Sequence, residues 1–297
     1  MEHPAAPDTA TARRLDARLR GPGSVACIEA EELRALQAEA GIDEDAAVLA
    51  CLSWAQRWAS PPVSNFRVGA VALGASGRVY LGANLEFPGL PLNRTVHAEQ
   101  AAITVAWVHG ETGLRALATS AAPCGHCRQF MLELPEPHPR VLIPGRAALA
   151  TAELLPEAFG PADLGREAQL LVAAHALTLD AGETEDPLVR AALEAAARSS
   201  SPYAEAPAGV ALELAPSSPR AQRIFAGSVA ESVAFNPSLA PMQSALVALH
   251  HGGGRMRAIT RAVLVELDKA PVSQLDAGAQ VLASVAPGVS LERFTCR

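Results

Sequence analysis

Thr95-Val96-His97-Ala98-Glu99-Gln100 and Ala122-Pro123-Cys124-Gly125-His126-Cys127 are the two stretches that decide how this chain reads. The first offers an imidazole and, two residues on, a carboxylate. The second offers two thiols at C-x-x-C spacing, behind a proline of the kind that opens helices. Residues three apart on a helix share a face, so Cys124 and Cys127 are expected side by side on a first turn. A helix N-terminus favours negative charge and lowers thiol pKa, which readies both sulfurs as thiolate ligands. With His97 they make three N/S ligands, one short of a tetrahedron. That is the usual protein contribution to a catalytic zinc ion, whose fourth position holds water of lowered pKa. Glu99, two residues from a ligand, is the candidate to move protons.

The rest of the composition narrows the setting. A chain of 297 residues is long enough for two compact domains and a small extra element. Net charge is −7, and the 24 Lys and Arg do not form runs, which argues against a polyphosphate partner. No apolar run reaches the roughly 18 residues that suggest a membrane span, and residues 1–20 lack an apolar signal core. A cytoplasmic location is therefore expected. The five cysteines are odd in number and scattered, unlike a disulfide framework. C-x-x-C then reads as metal or redox chemistry, and the upstream His97/Glu99 pair favours metal. Cys27, Cys51 and Cys296 read as structural or incidental.

Read in order, residues 1–43 form a small helical extension, with a helix over 29–40 that Gly41 caps. Acidic Asp43-Glu44-Asp45 opens a helix to about Ala59, with Trp54 and Trp58 on one core-facing side. Strands over 68–73 and 78–83 flank a Gly-Ala-Ser-Gly turn and read as a hairpin. A helix over 95–109, a strand over 114–121, the Pro123 helix and a strand over 140–143 follow. This alternation predicts a mixed sheet with helices on both faces. A further helix over 164–179 is expected to bridge to a second unit, which opens with Asp186-Pro187 as cap and first turn.

Several motifs together resemble one family. They are Ser64-Asn65-Phe66-Arg67-Val68-Gly69-Ala70, Gly82-Ala83-Asn84-Leu85-Glu86-Phe87, the H-x-E run, and Pro123-Cys124-Gly125-His126-Cys127-Arg128-Gln129-Phe130. H-x-E with P-C-x-x-C is the zinc deaminase signature. The ordered set, with Leu142 to Arg146 and Phe159-Gly160-Pro161, is similar to cytidine deaminase of the long, homodimeric bacterial type. The resemblance implies one zinc per chain, held by His97, Cys124 and Cys127, with His97 marking the long form. It implies that Glu99 carries protons between the attacking water, N3 of the pyrimidine and the departing ammonia. Asn84 and Glu86 would bond the ribose 3′-hydroxyl, Phe66 would pack beside the base, and backbone at Ala98 and Cys124 would meet the pyrimidine edge. From the residues alone, Asn84 also reads as a turn residue, Glu86 as a solvated acid and Phe66 as a core aromatic. His126 reads as a surface residue or a neighbour of the metal site. Arg128 either donates to a cysteine sulfur or is solvated.

The second half repeats the first. Ala208 to Leu212 echoes Val68 to Ala72, and Ile224 to Gly227 echoes Val79 to Gly82. By sequence, Pro241-Met242-Gln243 falls where His97-Ala98-Glu99 stood, and Val272 and Leu275 fall where the cysteines stood. The expected architecture is therefore α/β: a three-layer α-β-α cytidine deaminase fold, duplicated, with a small N-terminal helical extension. The expected division is 1–43 extension, 44–163 catalytic unit, 164–185 linker and 186–297 catalytically silent copy. The implied activity is zinc-dependent hydrolytic deamination of cytidine and 2′-deoxycytidine in pyrimidine salvage, by a homodimer whose sites lie near the subunit interface and with residues such as Phe294 closing the partner's pocket. No nucleic-acid or membrane partner is expected. Two alternatives stand beside it. One is a polynucleotide or nucleotide cytosine deaminase with the same zinc chemistry, disfavoured by the acidic charge. The other is a zinc-stabilised scaffold, in which Glu99 would have no task and a fourth protein ligand would be usual.

Overall fold

The computed structural model describes residues 6–21, 23–172, 177–182, 184–216 and 223–297. Helices α1 (Ala10–Arg20) and α2 (Ala30–Ala40) flank a two-residue strand, β1 (Cys27–Ile28). Next come α3 (Glu44–Ala50), α4 (Leu52–Ala55), the hairpin β2 (Gly69–Gly74) and β3 (Val79–Ala83), and α5 (Ala98–Val108). Strand β4 (Leu114–Thr119), α6 (Gly125–Phe130), β5 (Arg140–Leu142) and a short α7 (Thr151–Leu154) complete the first half. The second half runs α8 (Pro187–Ala197), β6 (Ala208–Leu214), β7 (Ile224–Ser228), α9 (Pro241–His251), β8 (Ile259–Leu267), α10 (Leu275–Val285) and β9 (Leu291–Cys296).

The local chemistry of these elements is as read. Gly41 takes the left-handed conformation, φ 64°, that only glycine adopts freely, and stops α2. Asp186 accepts a bond from Leu188 N at 2.9 Å with Pro187 as the first helical residue, so α8 starts with one amide satisfied and one removed. Trp54 and Trp58 are both buried, and Trp54 Nε1 donates to Asp16 of α1 at 3.1 Å. Three expectations need correction. The helix after Asp43 is interrupted at Cys51 and finishes as a 3₁₀ turn over Gln56–Trp58. Strand β1, too short to show alternation, pairs Cys27 with Tyr80 and so joins the N-terminal extension to the sheet edge. No helix runs over 164–179 among its described residues, 173–176 lying outside them. Gly165, at φ 63°, ends the 3₁₀ turn Pro161–Leu164, and Leu171 sits at φ 67°, which a helix cannot hold. Leu170 and Leu171 bury themselves in irregular chain instead.

The two sheets have one topology. The order is β1-β3-β2-β4-β5 in the first and β7-β6-β8-β9 in the second. In each, a central antiparallel trio ends in a parallel pair, β4 with β5 and β8 with β9. The register slips at the same place, between Leu73 and Gly74 and between Glu213 and Leu214. Each sheet lies between helices: α3 and α4 on one face of the first with α5 on the other, α8 and α9 on the two faces of the second. Because both faces are covered, the central strands are apolar throughout. Ala70 and Ala72 face a central core while Val71 and Leu73 face an outer one. Helices α5 and α9 pack against each other, and the central core is continuous from one sheet to the other.

Glycine sets how close these helices sit. A Cβ on Gly82 would lie 2.1 Å from Ala102 N in α5, and one on Gly227 would lie 2.1 Å from Ala245 N in α9. The structure therefore corrects the pairing of the repeats. Leu85 bridges Val96 as Ala230 bridges Leu239, and Ala101 N bonds His97 O as Ser244 N bonds Ala240 O. His97 thus corresponds to Ala240, Glu99 to Met242 and Gln100 to Gln243, one residue from the sequence pairing. Gly227→Ala is expected to cost about 3 kcal/mol or more, because the clash is with backbone. Gly113→Ala, whose Cβ would meet only Ala75 Cβ at 3.8 Å, is expected to cost little. Urea unfolding followed through one transition compares them, and equal midpoints would refute the close-packing account.

Candidate active site

Helix α5 begins at the rim of the first sheet with His97 as its N-cap and Ala98, Glu99 and Gln100 as its first turn, all three buried. His97 N donates to Gln100 Oε1 at 3.3 Å, and Gln100 Nε2 donates to Pro237 O of the second unit at 2.8 Å. The second unit thereby holds the start of this helix from outside. Gln100 was missed in the sequence, although a Gln recurs at its counterpart, Gln243.

Helix α6 brings the thiols. Cys124, not Pro123, is the cap residue, with extended φ −74° and ψ 169°, and Cys127 lies in the first turn. Both sulfurs lie 3.4 Å from His97 Nδ1 and 3.7 Å from each other. A tetrahedral ion with bonds of about 2.3 Å to sulfur and about 2.0–2.1 Å to nitrogen spaces its ligands roughly 3.5–3.8 Å apart. The donor set and its edges fit zinc, and it is the one such cluster of His, Cys, Asp or Glu found among the described residues. The Cys127 thiol, foremost, and the His97 ring pull Cys124 down to about 3, so an anionic sulfur is present. Cys124 in turn raises the His97 pKa.

Glu99 is buried beside the triad and adds no ligand to it. Burial, foremost, pushes its carboxyl above the usual range, while the Cys127 thiol and the His97 ring pull it back. His126, read as a surface residue or a neighbour of the metal site, is the neighbour. Its ring stacks on His97, centroids 4.5 Å apart and planes 17° from parallel. Arg128 follows neither expected course: it donates from Nε to Pro123 O at 2.8 Å and from Nη1 to Leu154 O at 2.7 Å, clamping the turn that precedes the thiols.

The remaining candidates sit on the loop before β2 and the strand end after β3. Asn84 Oδ1 accepts from Val68 N and its Nδ2 donates to Phe66 O, both at 2.9 Å. Glu86 Oε2 accepts from Val63 N at 2.8 Å and Ser64 N at 2.9 Å, and Oε1 accepts from the Ser64 hydroxyl. Both side chains are buried, so Asn84 is more than a turn residue and Glu86 is not a solvated acid. Phe66, at 61% exposed, is no core aromatic. The repeat clarifies Glu86. Its counterpart Glu231 accepts from Tyr203 N and Ala204 N in the same way, with Glu205 at positive φ where Asn65 is. Bracing this loop is thus a task of the carboxylate that needs no metal nearby. His250 and His251, which carried no signal in the sequence, join the halves: His250 Nε2 meets Trp58 O at 2.7 Å, and His251 Nε2 accepts from Ala83 N at 3.2 Å.

The comparisons with known proteins agree with this geometry. Two family models, each described as the cytidine and deoxycytidylate deaminase zinc-binding region, match residues 42–141 and 151–279. A cytidine deaminase of Sodalis glossinidius is 43% identical over 270 residues, 87% of this chain and 86% of its own. A cytidine deaminase of Klebsiella pneumoniae is 45% identical over 269 residues, 90% and 88% of the two chains. A crystal structure of cytidine deaminase from Burkholderia pseudomallei aligns with 38% of this chain and 98% of its own, at 32% identity and a TM-score of 0.36. With matches that span both halves and a triad shaped for zinc, the chain belongs to the cytidine and deoxycytidylate deaminase family.

Proposed function

We infer that this protein hydrolyses cytidine and 2′-deoxycytidine to uridine and 2′-deoxyuridine with release of ammonia. The observation that carries this reading is a three-ligand N/S triad with a buried carboxyl beside it that is not a ligand. Zinc held by His97, Cys124 and Cys127 supplies, when bound, a water of pKa about 7. Glu99 accepts one proton from the water that adds to C4 and places it on N3. It carries the second to the amine, so that the C4–N4 bond breaks and neutral ammonia leaves. Burial favours the protonated carboxyl that this donation needs.

The loop bonds of Asn84 and Glu86 support a sugar site built on this rim, with Phe66 exposed on the same loop to lie against the base and Ala98 offering backbone to its edge. A free nucleoside suits a rim that carries a carboxylate, because a phosphate there would meet like charge. We assign residues 44–163 to the catalytic unit and 186–297 to its silent copy, after the 1–43 extension and the 164–185 linker. Cytoplasmic pyrimidine salvage by a homodimer completes the reading. Phe294, 38% exposed on the edge strand β9, is proposed to close the partner's pocket.

Glu99→Gln is expected to keep one zinc per chain, by elemental analysis, and to lose roughly 10²–10⁴-fold in kcat for cytidine. Undiminished turnover would remove Glu99 from the mechanism, and two zinc ions per chain would contradict the silent copy. Cytidine, CMP and a cytosine-containing single-stranded oligonucleotide should be turned over in that order, with the last inert. Preference for the oligonucleotide would favour the polynucleotide alternative. Sedimentation of the active enzyme should give a dimer; a fully active monomer would exclude a site completed by the partner.

A further inference from the structure

We propose that Glu133 is a positioning residue for the metal site: it fastens the helix that opens on Cys124 and Cys127 to a braced loop of the second unit, the loop that also holds the His97 helix. Residues 125–133 wind without a break, because Phe130 and Met131, where α6 passes into the 3₁₀ turn Met131–Glu133, are both right-handed helical. The thiols stand at the start of this run and Glu133 closes it. Its carboxyl reaches across to the second unit, where Oε1 accepts from Val233 N at 2.7 Å and Oε2 from the Tyr203 hydroxyl at 2.8 Å. Glu133 is 1% exposed, and an acid carried that deep depends on its hydrogen bonds. Burial, foremost, raises its carboxyl, and the Val233 amide and the Tyr203 hydroxyl pull it back.

The loop that receives it has a fixed shape. Ala230 bridges Leu239 at its base, Ser232 N donates to Ser238 Oγ at 2.9 Å, and Glu231 Oε2 takes the amides of Tyr203 and Ala204. Val233 therefore lies in the same braced loop as Pro237, whose carbonyl accepts from Gln100 Nε2 at 2.8 Å. Gln100 belongs to the first turn of α5 and Glu133 to the end of the α6 run. The two helices that meet at the triad are thus tied, through one side chain each, to a single loop of the second unit. Ligands drawn from two helices stay in register only if the separation of those helices is held to about 0.5 Å, which is the task of supporting residues that never touch the ion. Helix α10, the counterpart of α6, has one acid, Asp276, and it lies in the first turn, so the second unit has no equivalent of Glu133 on that helix. The carboxyl is found only in the unit that has ligands to place.

The rate at which the zinc-loaded, full-length protein gives up its metal to the chelator pyridylazoresorcinol reads the triad without any turnover. Glu133→Leu, which removes both bonds, should release zinc about 10-fold faster, the low end of what outer partners of a metal site contribute. Tyr203→Phe, which leaves the Val233 bond in place, should also release it faster and decides the matter if Glu133→Leu fails to fold. Glu133→Gln should keep the wild-type rate, because its amide oxygen can take Val233 N and its amide nitrogen can donate to the Tyr203 oxygen. Val281→Ala, a truncation in the buried core of the second unit, controls for lost stability, with urea midpoints measured on every variant. Wild-type release from Tyr203→Phe, or equal acceleration in Val281→Ala or Glu133→Gln, would overturn the proposal. The claim rests on the triad holding zinc and not on the substrate. A wild-type chain without zinc refutes it together with the metal assignment. Release as expected without cytidine turnover refutes the deaminase reading alone, and turnover with unaltered release refutes the positioning role alone.

Discussion

The contact between the start of α5 and the glycine of β3 governs where the chemistry can happen. With no side chain at Gly82, the helix backbone lies directly on the sheet, Ala98 O falling 2.6 Å from where a Cβ would be. A helix brought that close buries its whole first turn, Glu99 included, and leaves its cap residue His97 at the sheet rim. Strand β4 ends beside the same rim because it pairs with β2 in the centre of the sheet, and the chain leaving it supplies Cys124 and Cys127. Two helix N-termini therefore converge on one point. Their dipoles favour the anionic Cys124 sulfur there, while the Cys124 side chain and burial push the Cys127 thiol up and burial raises the Glu99 carboxyl. One fold feature thus sets a pair of sulfurs, an imidazole and a buried carboxyl side by side.

The duplication separates what the frame requires from what the reaction requires. The second unit retains the glycine under its helix, the buried carboxylate on two loop amides, the Gln one turn into the helix and the slip in the sheet. It lacks the imidazole, the buried carboxyl of Glu99 and the thiols. Features present in both halves belong to the shared frame, and those found only in the first are the ones the frame does not require. By that criterion Glu86 has a structural duty before any contact with a sugar, whereas Asn84, replaced by Val229, is free to be specific to substrate.

Much of this was legible in the sequence because the signals were local. Capping residues, the hairpin turn and continuous apolar runs fix elements through contacts a few residues apart, and the C-x-x-C pair fixes its own geometry. The readings that failed depend on distant partners. Two residues at Cys27 become a strand only because Tyr80 is there to pair with them. Arg128 finds its acceptor at Leu154, and Leu170 and Leu171 gain more by joining a core from irregular chain than by continuing a helix. The repeat was misaligned by one residue because Gln243 resembles Glu99 in shape. Only the bridge from Ala230 to Leu239 reveals that its counterpart is Gln100.

That single-residue shift changes what the second unit is. Paired with Glu99, a Gln would be a disabled catalyst, a relic of lost activity. Paired with Gln100, it is a retained frame residue whose partner has changed. Gln100 spends its amide on its own helix cap and on Pro237 across the junction, and so fastens the catalytic turn to the silent half. Gln243 keeps the position at the start of α9, and among the described residues its oxygen meets no donor. The second unit therefore supports the first through a shared core and a fastened helix cap.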